Sequence, residues 1–412
     1  MTQSIEQQLL ALDDWQDELV EQLVALSTIN SGSLNADGVN RVGEALTPLY
    51  TQLGASAERI GVDDFVSTTD AGERSHHPLG DAFRFRCRPE APLQVFLCGH
   101  LDTVFAVDHP FQRVERPDAD TLHGPGVADL KGGLMVMISA LRVLEASPWR
   151  EAIGWEVLLN PDEEIGSASS AHLLREAAER NHLGLIYEPS FPDGNLAGER
   201  KGSGNFDVIV RGKAAHAGRE HHLGRNAIRA CADFISALDD LNGQRNGVTI
   251  NPGYVHGGGA LNVVPPLCLT RFNVRTQRPE DEAWFESELD RLLGEIGARD
   301  GITVERLGGF TRPPKVWSDT NRWLAEAIAG CARELSLDLD YLPTGGCCDG
   351  NNLAAAGLPN IDNLGVVGGK IHSADEYMRI SSIAERGRLS ALLLLRLASG
   401  ELRMPAADDT AR

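Results

Sequence analysis

Two adjacent glutamates, Glu163 and Glu164 in NPDEEIGS, follow the apolar run IGWEVLLN. Neighbouring acids repel, so such a pair asks for a cation unless water screens it. Taken alone, the pair reads more readily as the charged start of a helix. Residues of the same character recur elsewhere. His100 and Asp102 stand in GHLDTVF, Asp129 in GPGVADLKGG, Glu188 in IYEPS and His372 in KIHSADEYM. His100, Asp129, Glu164, Glu188 and His372 make an oxygen-and-imidazole donor set that suits zinc, cobalt or manganese; none is a thiolate. One bridging carboxylate with two ligands on each side would hold two ions about 3.5–4 Å apart. The matching chemistry is hydrolysis. With Glu164 on a metal, Glu163 points elsewhere and can take a proton from water and pass it to a leaving nitrogen. Asp102, two residues beyond His100, faces the same way in an extended segment and can orient the imidazole.

These side chains need elements to position them. VFLC before Gly99–His100, IGWEVLLN and LGLIYEP read as buried strands, while LKGGLMVMISALRVLEA and SASSAHLLREAAER read as helices, the latter with serines placed to cap it. A further amphipathic helix is expected over residues 4–27. Strands alternating with helices predict an α/β layer with a mainly parallel sheet, whose ligands gather beyond the strands' carboxyl ends. His100, Glu163, Glu164 and Glu188 all fall there. Between 197 and 311 the order β-α-β-β-α-β suggests a ferredoxin-like α+β module. The α/β pattern resumes after it. The expected organisation is a discontinuous catalytic domain, 1–196 and 312–412, with an inserted domain at 197–311. The short polar tail MPAADDTAR is expected to fray.

Composition narrows the partners. The 412 residues carry 59 acidic against 38 basic side chains, a net charge of −21. Nucleic acid and anionic lipid both need a basic face. Seven cysteines, odd in number and without a CxxC pair, fit reduced thiols in a cytoplasmic protein. The N-terminus lacks the pattern of a signal peptide, and the apolar stretches are too short or interrupted to span a bilayer. GPGVADLKGG matches no phosphate-binding loop, which argues against a nucleotide enzyme.

GHLDTVF, GPGVADLKGG, PDEEIGS, RGKAAHAG and IHSADEY occur in one order along nearly the whole chain. In that order they resemble the zinc-dependent exopeptidase and deacylase family that includes carboxypeptidase G, acetylornithine deacetylase, succinyl-diaminopimelate desuccinylase and aminoacylase. The resemblance implies two Zn²⁺ per subunit, with Co²⁺ or Mn²⁺ as substitutes. It implies that His100 and Glu188 hold one ion and Glu164 and His372 the other. Asp129 would bridge them, followed by a cis peptide to Leu130. Asp102 would orient His100, and Glu163 would be the general base. The inserted domain would be a lid through which a homodimer forms, and His216 of RGKAAHAG would reach a neighbouring active site to steady the oxyanion.

At the substrate end, Arg275 in FNVRTQ is a candidate clamp for a carboxylate. Asn262 in GGALNVVPP matches the family's lid asparagine, and the backbone of Gly345 and Gly346 is a candidate carboxylate nest. Cys347 and Cys348 stand where relatives have serine or threonine with aspartate; they read as thiols packing a tight loop rather than as nucleophiles. Arg200 and Lys201 could meet an acidic side chain of the substrate, but read better as a solvated loop. LSTINSGS, RGKAAHAG and LGRNAI point toward carboxypeptidase G. The substrate expected is a small peptide or N-acyl amino acid with a free C-terminal carboxylate, cut by a glutamate-carboxypeptidase-like exopeptidase. An N-acyl amino acid deacylase is the near alternative, and a non-catalytic binding relative the remote one.

Overall fold

A computed structural model describes residues 5–405; the polar tail from residue 406 on lies outside them. A six-stranded mixed sheet forms the centre. Its order is Ser56–Ile60, Ala82–Cys87, Ile153–Asn160, Leu93–His100, Leu183–Ile186 and Asn360–Ile361. The first two junctions are antiparallel and the remaining three parallel. Ile153–Asn160 is buried along its whole length, as an interior strand covered on both faces must be. Leu97 pairs with Val157 on one side and Leu185 on the other, so the carboxyl ends of the three parallel strands lie within two residues of one another.

Helices Ile5–Ser27, Lys131–Ala146, Asp319–Glu334 and Ser382–Ser399 cover one face and share its core. Ala171–Arg180 and Asp349–Ala355 cover the other. Lys131–Ala146 is buried on nearly every side, which explains its continuous apolar sequence. A Cβ on Gly133 would lie 2.1 Å from the Tyr187 carbonyl oxygen. Only glycine lets this helix press against the strand end that carries Glu188. The serines before Ala171 do not cap by side chain. Ser170 Oγ instead donates to Asp162, a buried carboxylate that needs its donors more.

Residues 202–312 form a four-stranded antiparallel sheet ordered Thr249–Gly257, Leu267–Thr276, Gly202–Arg211 and Thr303–Arg312. Helices Ala227–Asp239 and Pro279–Gly297 pack on it around Phe206, Phe234, Phe272 and Phe285. Two chain crossings join this module to the large sheet. They pair with each other, Arg200 N to Lys315 O and Lys315 N to Arg200 O, both at 3.0 Å. A hairpin, Phe65–Thr68 with Arg74–His77, reaches the module's open face. There Asp70 accepts from Tyr254 Oη at 2.8 Å and Arg271 Nη2 at 3.0 Å. No helix among the described residues is long and apolar enough to cross a membrane.

Candidate metal centre and active site

The carboxyl ends of three neighbouring parallel strands supply the first donors. His100 ends one strand, Glu163 and Glu164 form a short 3-10 turn after Asn160, and Glu188 follows Ile186 closely. Asp129 precedes the helix Lys131–Ala146, joined to Leu130 by a cis peptide bond. His372 lies in the turn before Tyr377–Arg379.

The structure brings these six residues together. His100 Nε2 lies 3.2 Å from Asp129 Oδ1 and 4.0 Å from Glu188 Oε2. His372 Nε2 lies 3.3 Å from Asp129 Oδ2 and 3.1 Å from Glu164 Oε2. The two oxygens of Asp129 thus face different histidines. Bonds of about 2.0–2.2 Å to a tetrahedral ion put neighbouring donor atoms about 3.3–3.5 Å apart. Three of the separations, 3.1–3.3 Å, are close to that spacing, and the His100–Glu188 separation of 4.0 Å is wider. His100, Asp129 and Glu164 each offer a donor atom within 4.8 Å of the others, as do His100, Glu163 and Glu188.

Supporting residues fix this set. His100 Nδ1 lies 2.9 Å from the Asp102 carbonyl and 3.3 Å from its carboxylate. That carboxylate in turn accepts from Ser33 Oγ and from the backbone N–H groups of Glu163 and Glu164. One aspartate therefore orients the imidazole and seats the acidic turn. Sequence reasoning missed three further residues. Buried Glu376 accepts backbone N–H bonds from Gly126, Ala128 and Asp129, pinning the loop that presents Asp129. Its signal was available inside IHSADEYM. Arg312, 3 % exposed, pairs with Glu163 Oε1 at 2.7 Å and with Asp349 Oδ1 at 3.0 Å. It also donates to the Glu163 carbonyl and to Ser167 Oγ. No local pattern marks Arg312 or Asp349.

The electrostatics follow from crowding acids in a desolvated place. Burial pushes the Glu163 carboxyl up to about 7, against the opposing charges of Arg312 and His100. Burial and the neighbouring Asp129 take Glu164 up to about 8, and burial raises Glu188 well above the carboxylate range. Bonds to Asp129 and Glu164 push His372 up to about 11. Asp129 goes the other way: burial opposes its ionisation, but two imidazoles beside it hold it below the usual range. Such a set calls for more positive charge than its two histidines and one arginine bring.

The donors open on a cavity of about 370 Å³ whose lining includes Asp129, Glu163, Glu164, Glu188 and His372. Arg200, Gly346, Cys347 and Cys348 also line it. Arg200 is not in a solvated loop. It is 8 % exposed and bonds Asp362 through Nε at 2.9 Å and Nη2 at 3.1 Å. Lys315 Nζ meets the same carboxylate at 2.8 Å. Two buried cations face one aspartate, which leaves a positive charge at the cavity wall. Gly346 N–H is bonded to Thr344 Oγ1, and Gly345 is exposed beside it. Arg275 lies outside this lining, tied to Asn273 Oδ1 at 2.9 Å and Cys347 Sγ at 3.2 Å. His216 and Asn262 stand together on the exposed rim of the small module, where Ala217 N donates to Asn262 O. Neither lines the cavity.

Residues 96–396 match peptidase family M20/M25/M40. Carboxypeptidase G2 of Pseudomonas sp. (strain RS-16) is 27 % identical over 395 residues, covering 95 % of this chain and 92 % of that one. Succinyl-diaminopimelate desuccinylase of Xanthomonas oryzae pv. oryzae is 29 % identical over 327 residues, covering 74 % and 84 % respectively. The fold matches that of an M20 family metallo-carboxypeptidase from Sulfolobus solfataricus, with a TM-score of 0.71, 17 % identity, and coverage of 92 % of this chain and 98 % of that one. An α/β sheet with acidic and histidine donors at its strand ends, and a match spanning most of the chain, lead to one statement: this protein is a hydrolase belonging to peptidase family M20/M25/M40.

Proposed function

We propose that this hydrolase holds two zinc ions and removes a C-terminal amino acid, glutamate foremost, from a small peptide or N-acyl group. One observation carries the reading: the two oxygens of Asp129 are each directed at a different histidine. His100 and Glu188 would hold one ion, Glu164 and His372 the other, with Asp129 between them. Imidazole and carboxylate donors fit zinc, and also cobalt or manganese. When bound, the ions supply Lewis acidity, polarising the scissile carbonyl and acidifying the attacking water. The remaining roles belong to the chain. Glu163, held by Arg312, takes a proton from water and delivers it to the leaving nitrogen. Burial raises its carboxyl above the ordinary carboxylate range, the direction that suits a group that must both take and return a proton.

The positive charge of Arg200 on the cavity wall supports a substrate with a free carboxylate. Arg275 and the Gly345–Gly346 loop lie at the adjoining boundary and would orient that group further. His216 and Asn262 are exposed on the rim beside the edge strand Thr249–Gly257, with Val255 59 % and Val263 40 % exposed. We infer a homodimer through this module, in which His216 of a second copy steadies the oxyanion. An N-acyl amino acid deacylase uses the same atoms and remains the neighbouring reading.

The test is hydrolysis of N-acyl-L-glutamates with metal analysis, before and after chelation. The expected result is two ions per chain, activity lost on chelation and restored by Zn²⁺, Co²⁺ or Mn²⁺. Full activity in metal-free protein would refute the reading.

A further inference from the structure

Glu164 borders two cavities. One is the charged cavity just described; the other, of about 350 Å³, lies beyond it against the loops at 32–35 and 103–107. Glu164 is the one residue common to both linings. The two spaces therefore meet at a donor of the metal set. Their chemistry differs. The first carries Arg200 and Lys370 among its walls. Among the described residues the second has no basic side chain, and its sole acid is Glu164. Its walls are Leu34, Val104, Ala106, Val107 and Ile165 with backbone and small polar groups between. Leu34 is 54 % exposed, Val104 40 % and Val107 64 %. Large apolar side chains held together in water at the mouth of a cleft mark a place where an apolar ligand settles.

The wall is built, not incidental. A Cβ on Gly32 would fall 2.4 Å from the Phe105 carbonyl oxygen, so the two loops are pressed together there. Thr103 N donates to Ser31 O at 2.9 Å and Ser33 N to Thr103 O at 3.2 Å. Asn30 Nδ2 donates to the carbonyls of Phe105 and Ala106. Ser33 Oγ reaches Asp102 Oδ2 at 2.7 Å, the carboxylate that also seats Glu163 and Glu164. The apolar wall is thus fixed in register with the reacting centre, which is what positioning a substrate requires.

We propose that this second cavity is the subsite for the acyl half of the substrate, and that it takes an uncharged aliphatic or aromatic group. The inference rests on the hydrolase reading above and deepens it. The amide spans Glu164: its carboxylate-bearing amine half lies toward Arg200, and its apolar acyl half lies between Leu34, Val104 and Val107. Hydrolysis breaks the C–N bond; water supplies OH to the acyl carbon and H to the nitrogen. A dicarboxylic acyl group would place its second negative charge in a wall without a cation, so succinyl substrates are disfavoured.

The experiment compares kcat/KM for N-hexanoyl-, N-benzoyl-, N-acetyl- and N-succinyl-L-glutamate with the metal-loaded full chain. Hexanoyl and benzoyl substrates are expected to exceed acetyl and succinyl by about tenfold or more. Val107→Asp and Leu34→Asp, both at exposed positions, are expected to cut the hexanoyl-to-acetyl ratio about tenfold. Thermal melting of each variant separates this from misfolding. Turnover with a flat acyl profile, or a ratio unchanged in both folded variants, overturns the subsite alone. No turnover of any of the four by protein with bound metal overturns both the subsite and the glutamate-releasing reading beneath it.

Discussion

Replacing Arg312 by methionine tests how the candidate base is held. The guanidinium is 3 % exposed and lies 2.7 Å from Glu163 Oε1 and 3.0 Å from Asp349 Oδ1, both buried carboxylates. It makes two more bonds, to the Glu163 carbonyl at 2.7 Å and to Ser167 Oγ at 3.0 Å. Methionine fills much of the volume and removes every one of these. Breaking one buried ion pair and leaving its partner uncompensated costs about 3–5 kcal/mol. Here two carboxylates lose the same cation, so the upper part of that range is expected in urea unfolding of metal-free protein. Zn²⁺ restores positive charge a short way off and should recover part of the loss. Catalysis should suffer separately. Arg312 is the first opposing charge that keeps burial from pushing Glu163 higher still. Without it the carboxyl retains its proton at neutral pH and cannot accept one, so kcat should fall about 10²–10⁴-fold with KM little changed. Arg312→Lys should lie between, since a single ammonium cannot span both carboxylates. An Arg312→Met protein within about 1 kcal/mol of the parent and with near-normal kcat would refute this reasoning.

Glu163→Gln should keep both ions by metal analysis while kcat drops about 10²–10⁴-fold; near-normal turnover would remove Glu163 as the base. His216→Ala should lower kcat about 10²–10³-fold without altering metal content, and mixing it with Glu163→Gln protein should regain activity if the residue acts across a dimer. In the small module, Glu282 has a carboxyl oxygen without a hydrogen-bond partner among the described residues, and burial, helped by Glu286 and Asp281, pushes the carboxyl up to about 7. The native group keeps its proton to about 7 and the unfolded one loses it near 4.5, so this group costs stability as pH rises through that window. Glu282→Gln should therefore raise the unfolding free energy measured in urea at pH 8, by on the order of 1 kcal/mol after solvent screening, and do little at pH 4. An equal effect at both pH values would contradict the assignment.

The acids and the histidine gathered at the strand ends were legible as a cluster because their positions follow from local signals. VFLC and GWEVLL announce buried strands, and an α/β sheet collects its chemistry just beyond such runs. The inserted module was readable from the alternation of its elements. What escaped the sequence was pairing at a distance. Arg312 is 149 residues from Glu163 and 145 from Ser167. Glu376 grips a loop about 250 residues earlier in the chain. Arg200 looked solvated because its partner, Asp362, is 162 residues away. A charged residue carries no one-dimensional sign of burial; only the fold reveals the counter-charge that permits it.

The paired crossings at Arg200 and Lys315 act as more than a connection. Backbone bonds join the two strands, and both side chains converge on Asp362 in the interior. The far side of the module is held differently, by Asp70 against Tyr254 and Arg271 near the surface, where salt weakens the attraction. Arg312 adds buried bonds to Asp349 and Ser167 beside the crossings, so one side of the module is anchored in the interior and the other at the surface. Ionic strength would therefore weaken the surface anchor and leave the interior one untouched, so solvent acts on the two sides of the module unequally.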